Sequence, residues 1–473
     1  MKTPPIRLFI SFILVTAIIV IVLLFVFKRG HVNHQNVWRT VLIIFTVVIL
    51  TLNLKPHWSF EKRHHAFVEL FRKSVSPQLD SLLLDHGRED LLKETYRPLA
   101  HLLSMRHNPV VCTNNSVEVI TDGQRKYDLL MQDLENAKES IHMEYFHFAA
   151  DSGSREIRNM LIKKAREGVK VRFINENVAN LPIIHRYYRS MKKGGVEVIR
   201  FTGIKRFIGD FLTKLNYRNH RKIVVIDGRI GYTGGMNIND HYFHQWRDTH
   251  LRIEGDAVSS LQVIFLDSWI GAGGSIDDFM DCFPTIERQR DDVLMQVVPD
   301  EPGRNSRPIQ MGYVWSLLHA KGYVYIQTPY FAPTEPVLEA LKSAALQGVD
   351  VRVMLPQKSD TWIMGPANRS YYKECLLAGV KIYERTGPFM HAKTYVQDDY
   401  LSVIGTSNMD GRSLIYNYED NAYIYDERTA CCNRDIFLSE LEICEEITLD
   451  DVSALSWHQR FLQHLVRFSA PVL

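Results

Sequence analysis

The sequence predicts an α/β protein: two pseudo-symmetric α/β repeats sharing one active-site seam, preceded by an N-terminal transmembrane helical hairpin. Three observations support this. One polar constellation occurs twice at a constant offset. Strand-like and helix-like segments alternate in the same order around each copy. The start of the chain holds two uncharged apolar runs.

The first copy of the constellation reads His220-x-Lys222-x4-Asp227, then Gly234, Asn237 and Asp248. The second reads His391-x-Lys393-x4-Asp398, then Gly405, Asn408 and Glu419, each position 171 residues after its counterpart. A fixed offset across six positions marks a duplication.

The flanking segments repeat as well. Val117–Asp122 parallels Met295–Asp300, each an alternating strand that runs into a turn, and Ile141–Phe148 parallels Val324–Phe331. Helical spacing follows in both, through Ile157, Met160 and Leu161 and through Val337, Leu338 and Leu341. These helices are expected to stop at Gly168 and Gly348, because glycine favours the position just past a helix C-terminus. Further helices carry Tyr187-Tyr188 and Tyr371-Tyr372 and end at Gly195 and Gly379. This alternation builds α/β layers.

Leu8 to Phe27 is a nearly wholly apolar run, long enough for the ~20 residues of a membrane-crossing helix. Thr40 to Leu54 is a shorter second run, flanked by Trp38 and Trp58. Together they predict a hairpin over residues 1–56, followed by juxtamembrane amphipathic helices over 57–110, repeat 1 over 111–285 and repeat 2 over 286–473. Basic residues outside the hairpin outnumber those in its connector, which favours a cytoplasmic catalytic portion. A net charge of +2 gives no footprint of a nucleic-acid binder, and the six cysteines show no zinc spacing.

Residues two apart on a strand share a face, so His220 projects with Lys222 and His391 with Lys393. Two imidazoles, two ammonium groups and two amides suit a phosphodiester. One histidine attacks phosphorus, the other protonates the leaving oxygen, and the lysines with Asn237 and Asn408 hold the non-bridging oxygens. Asp248 and Glu419 are expected to orient the imidazoles. These groups fill every role, so neither a metal nor another cofactor is expected. Asp227 and Asp398 belong to the motif and count among the catalytic candidates, although their strand parity and turn sequences favour framework roles first. Phe207 and Phe211, ahead of the first motif, are candidates for interfacial lipid contact, with a core-facing helix as the alternative.

Several stretches carry a family resemblance. They are Arg218-Asn-His-Arg-Lys222, Gly234-Gly-Met-Asn-Ile-Asn-Asp240, Trp246-Arg-Asp-Thr-His250, Thr328-Pro-Tyr-Phe331, His391-Ala-Lys393, Ser407-Asn-Met-Asp-Gly-Arg-Ser413 and Asn417-Tyr-Glu419. On these the chain resembles the phospholipase D superfamily, whose HKD motif is matched twice, and most closely the bacterial cardiolipin synthases. The resemblance covers nearly the whole chain and implies two phospholipase D-like repeats. It also implies phosphatidyl transfer through a phosphohistidine, with His220 as nucleophile and His391 as acid/base. Two phosphatidylglycerols would give cardiolipin and glycerol, at a bacterial cytoplasmic membrane, with phosphatidylglycerol, other anionic phospholipids and the bilayer as partners. A hydrolase, a transferase with another alcohol acceptor, and a superfamily nuclease remain as alternatives. Asn175-Glu176-Asn177 departs from the family's usual acidic, glycine-containing turn.

Overall fold

Each copy of the constellation is carried by a mixed sheet. In the first repeat, β1 (Asn115–Ile120), β2 (Ser140–Tyr145), β3 (Lys170–Glu176), β4 (Glu197–Phe201), β5 (Lys222–Ile226), β6 (Ile230–Gly234) and β7 (His250–Gly255) assemble in the order β1-β7-β6-β5-β2-β3-β4. The remaining strands are β8 (Met295–Asp300), β9 (Tyr323–Gln327), β10 (Phe331–Ala332), β11 (Asp350–Pro356), β12 (Lys381–Arg385), β13 (Thr394–Gln397), β14 (Leu401–Gly405), β15 (Met409–Asp410), β16 (Glu419–Tyr425) and β17 (Cys444–Ile447). Their main sheet runs β8-β16-β14-β13-β9-β11-β12-β17. Strand for strand this is the order of the first sheet, with β17 added at one edge. The short β10 and β15 pair separately.

This computed structural model describes residues 88–104, 110–176, 179–180, 185–201, 217–302 and 306–469. The two apolar runs of the expected hairpin, together with Phe207 and Phe211, lie outside the described residues. Among the described residues no helix is long and apolar enough to cross a membrane.

In both sheets the parallel neighbours are joined by helical crossovers. β2, β3 and β4 run parallel, as do β9, β11 and β12. The helix Ser152–Arg166 starts where the Asp151 carboxylate accepts the Ser154 N–H, and it ends at Gly168 (φ 98°). There the Val169 N–H reaches back to the Lys164 carbonyl, leaving glycine alone in the left-handed conformation. The equivalent helix Glu335–Leu346 ends the same way at Gly348 (φ 94°).

Helix Ala257–Gly271 is buried except for one narrow stripe, Ser259, Val263, Asp267 and Gly271, which is partly exposed. Val258, Leu261, Phe265 and Trp269 are all buried, in one core with Ile223 and Val225 of β5, Met295 and Val297 of β8, and Ile404 and Ile424 of the second sheet. So wide an apolar surface is expected only where a helix is enclosed on most sides. It lies between the repeats and ties them together. Residues 88–104, the described end of the expected juxtamembrane segment, join the body of the protein. Leu99, Ala100 and Leu103 of helix Arg97–Ser104 are fully buried in the second repeat's core with Ile309 and Tyr313.

Candidate active site

Four backbone hydrogen bonds close the seam between the repeats. The His220 N–H donates to Tyr418 O (2.9 Å) and the Tyr418 N–H to Arg218 O (2.8 Å). At the related position, the His391 N–H donates to Arg247 O (2.7 Å) and the Arg247 N–H to Phe389 O (2.9 Å). Arg247 and Tyr418 immediately precede Asp248 and Glu419. The seam therefore delivers each carboxylate to the histidine of the other repeat.

The side chains complete this crossing. His220 Nδ1 lies 2.9 Å from Glu419 Oε2, and His391 Nδ1 lies 2.8 Å from Asp248 Oδ2. Lys222 Nζ donates to its own repeat's His220 O at 2.7 Å, and Lys393 Nζ donates likewise to His391 O. Lys393 Nζ also stands 2.8 Å from His391 Nδ1. One ring nitrogen cannot donate to a carboxylate and accept from an ammonium together. The matching His220–Glu419 pair indicates that Nδ1 carries the proton and donates to Asp248. In both rings that leaves Nε2 with the free lone pair.

Burial dominates the electrostatics. It pushes His220 well below its ordinary value, with Lys222 and Lys393 adding to the shift, and it brings His391 down to about 4 with help from Lys393. Both rings are therefore neutral near pH 7. Desolvation also lowers Lys222, and takes Lys393 to about 7. Burial alone would raise the Asp248 carboxyl, yet Lys393 and the His391 hydrogen bond hold it below the usual range. Burial does raise Glu419, against Lys222 and hydrogen bonds from Thr406 and Asn417. Two poorly solvated ammonium groups gain interaction energy when an anion enters, because a low-dielectric site strengthens each contact.

The two halves differ in detail. Gly235 and Thr406 occupy equivalent positions. A Cβ at Gly235 would fall 2.0 Å from Asp248 Oδ1, whereas the Thr406 hydroxyl donates to Glu419 Oε2 at 2.6 Å. The absent side chain at Gly235 lets the shorter Asp248 carboxylate approach the backbone there. Four aromatic rings surround His391: Tyr242, Trp246, Phe389 and Tyr330, with centroids 5.5, 5.8, 5.9 and 6.1 Å away. His220 meets Phe146 edge-on at 4.8 Å.

The asparagines are not equivalent. Asn237 Nδ2 donates to the Tyr242 hydroxyl (2.9 Å) and its Oδ1 accepts the His147 N–H (3.1 Å), so this amide positions Tyr242, whose oxygen lies 3.2 Å from His391 Nδ1. Asn408 is buried, and its Oδ1 has no hydrogen-bond partner among the described residues. That oxygen can only accept, which suits a hydroxyl of a ligand, whereas a phosphoryl oxygen would be met by the Nδ2 donor of the same amide.

Asp227 and Asp398 require a correction as catalytic candidates. The structure does not bring them to the histidines; each sits at the far end of its strand, roughly 16 Å of extended chain from the lysine. Asp227 (φ 51°) accepts the N–H groups of Lys138, Glu139 and Ser140, all at 2.8 Å. Asp398 (φ 51°) accepts those of Lys321 and Gly322 at 2.8 Å and Tyr323 at 3.0 Å. Each carboxylate clamps the turn entering β2 or β9. Asp227→Ala is expected to cost about 2–4 kcal/mol, through lost charge-assisted bonds and a strained left-handed residue. Thermal unfolding should reveal the loss while kcat stays within about threefold.

Sequence reasoning missed several groups around the site. Lys126 is fully buried on helix Gly123–Asn136, donating to Met236 O (3.1 Å) and the Tyr145 hydroxyl (3.2 Å), which fixes the loop leading to Asn237. No spacing rule singles out one lysine on an amphipathic helix. Glu176, within the departure noted above, receives a two-pronged ion pair from Arg218 at 2.7 and 2.7 Å. The unusual turn therefore serves the residue that opens the first motif. Among the described residues no group of three or more His, Cys, Asp or Glu is arranged to hold a metal ion.

Comparison with known proteins agrees with this geometry. The family described as "Cardiolipin synthase, PLD-like domain" matches residues 130–269 and 314–439, one stretch in each repeat. A cardiolipin synthase of Halalkalibacterium halodurans is 35% identical over 98% of this chain and 93% of its own length. The major cardiolipin synthase ClsA of Bacillus subtilis is 32% identical over 96% of this chain and 97% of its own. The crystal structure of a phosphatidylserine synthase from Haemophilus influenzae shares the fold, with a TM-score of 0.62 over 81% of this chain and all of that chain, at 12% identity. Doubled motif, crossed seam and near full-length similarity converge on one statement: the chain belongs to the cardiolipin synthase family of phospholipase D-like enzymes.

Proposed function

We propose that this enzyme is a membrane-bound cardiolipin synthase, transferring the phosphatidyl group of one phosphatidylglycerol to a second and releasing glycerol. The observation that carries the reading is the pair of crossed carboxylate–imidazole contacts, 2.9 and 2.8 Å, framing one site that holds two buried lysines.

In the first half-reaction, His220 Nε2 attacks phosphorus and Glu419 steadies the positive charge that develops on the ring. The bond from phosphorus to glycerol breaks, and His391 supplies the proton that the departing oxygen needs. The incoming anionic phosphodiester raises the proton affinity of His391, whose Nε2 takes a proton from solvent as the substrate binds and so becomes competent as an acid; that proton returns to solvent when the products leave. In the second half-reaction, His391 takes the proton from the hydroxyl of the second phosphatidylglycerol. That oxygen displaces His220 from phosphorus, returning both histidines to their starting state. Lys222, Lys393 and Asn408 hold the non-bridging oxygens throughout. The aromatic wall around His391 favours a lipid alcohol over water as acceptor.

The N-terminal runs would anchor the chain in the bacterial cytoplasmic membrane with the repeats on the cytoplasmic side, and Phe207 and Phe211 would meet the lipid surface. The direct test is the full chain reconstituted in phosphatidylglycerol vesicles, with lipid products followed by mass spectrometry. Cardiolipin and glycerol should appear in equal amounts. Phosphatidic acid as the sole product would replace the transferase reading with a hydrolase.

A further inference from the structure

We propose that the outer face of the C-terminal helix, together with Trp362, docks on the headgroup region of an anionic lipid bilayer and holds the His391 side of the site against it. The lipid nature of the substrate rests on the function proposed above; the surface itself stands on its own geometry.

Helix Trp457–Ser469 presents two different apolar edges. Val466, only 4% exposed, packs into a small cluster with Met364 and Ala367, against which Ile363 also lies. Arg467 secures the same side by donating to Ser370 O at 3.0 Å and pairing with Glu374. The helix is thus held to the body of the second repeat. Its other edge carries Trp457, Phe461 and Leu465 at four-residue spacing, exposed to 69%, 63% and 56%. Residues four apart form one stripe along a helix. Trp362, next to the buried cluster in sequence, is 80% exposed.

Two tryptophans, a phenylalanine and a leucine in water would be a liability on a freely soluble surface. The charges point to what covers them. The helix contains no Asp or Glu; of its two arginines, Arg467 is paired with Glu374 on the inner side, while among the described residues Arg460 donates only to the carbonyls of Leu455 and Ser453. An apolar stripe of Trp, Phe and Leu on a helix with basic and no acidic residues is the composition of a helix lying in a membrane interface. Tryptophan is suited to the headgroup level.

The helix is also anchored beside the His391 side of the site. Tyr330 packs against the same cluster as Val466, and its ring stands 6.1 Å from that of His391. Its hydroxyl donates to Asp360 Oδ2 at 2.7 Å, two residues before Trp362. The helix that carries the exposed stripe is therefore packed, through its buried side, against a residue whose ring neighbours a catalytic candidate. A bilayer against the stripe would bring phospholipid headgroups to the aromatic wall.

The experiment uses the full chain in vesicles of phosphatidylglycerol and phosphatidylethanolamine bearing brominated acyl chains, which quench nearby tryptophans. Quenching should fall measurably in Trp362→Phe and in Trp457→Phe relative to the parent; unchanged quenching in both would overturn the proposal. Phe461→Ser combined with Leu465→Ser alters only exposed positions. It should lower turnover on bilayers at least tenfold and leave turnover of a monomeric short-chain phosphatidylglycerol within twofold, with thermal unfolding unaltered. Equal loss on both substrates, or a change of oligomeric state in the double variant, would assign the stripe to another part of this chain or to a second copy and sink the docking idea. The quenching signal does not depend on turnover. Quenching differences without phosphatidyl transfer would therefore keep the docking and discard the proposed reaction.

Discussion

Offered a phosphatidyl analogue with a p-nitrophenyl leaving group, His391→Ala enzyme should accumulate a covalent phosphatidyl adduct on His220, whereas His220→Ala should accumulate none. Each substitution is expected to reduce turnover of phosphatidylglycerol by about 10⁴-fold or more, and the double variant to be little worse, because residues acting as one unit are strongly non-additive. The reason lies in the order of events. Without His391 the nucleophile is intact, but the departing alkoxide has no proton. A substrate analogue with a p-nitrophenyl leaving group needs no proton and should restore adduct formation in His391→Ala alone. Intact-protein mass spectrometry reads the adduct directly. Label in His220→Ala and none in His391→Ala would exchange the two roles, and label in neither would remove the covalent intermediate.

The second large effect follows from the crossed seam. Asp248→Asn and Glu419→Gln should each lower kcat by about 10²–10⁴-fold with little change in KM, the size seen when an orienting carboxylate is neutralised. Their characters should differ in a way that sequence position alone would misassign. Glu419 lies in the second repeat but contacts His220, so Glu419→Gln should suppress adduct formation with the p-nitrophenyl analogue. Asp248 lies in the first repeat but contacts His391, so Asp248→Asn should form adduct normally with that analogue and fail with phosphatidylglycerol. The opposite pattern would mean that each carboxylate serves its own repeat in solution.

The two-repeat core was legible because duplication writes seven strands of each main sheet in the same order. Gly168 and Gly348 end matching helices, and each sheet places its H-x-K strand at the same position in the strand order. The crossing was not legible. A constant offset of 171 residues is equally compatible with carboxylates paired within a repeat or between repeats. Only the backbone hydrogen bonds joining Arg218 to Tyr418 and Arg247 to Phe389 decide between them. Strand parity did separate Asp227 and Asp398 from the chemistry, although membership of the motif had placed them among the catalytic candidates. The aromatic wall escaped notice because its rings come from three distant segments, Tyr242 with Trp246, Tyr330, and Phe389, which only the fold brings together. Asn237 and Asn408 looked interchangeable, and it is a local tyrosine, Tyr242, that occupies one and leaves the other open.

The exchange of carboxylates also constrains ancestry and engineering. A lone half of this protein would hold a histidine and an acid that point to different centres, each lacking its complement. Two identical halves related by a two-fold axis would supply both complements at once, since an isologous contact is self-complementary by construction. The present chain has the form of such a symmetric pair joined end to end, and covalent fusion released the halves from identity. The aspartate beside a glycine in one and the glutamate beside a threonine in the other are products of that freedom. Severing the chain between Gly271 and Met295, outside both sheets, should therefore yield two fragments inert apart and active together.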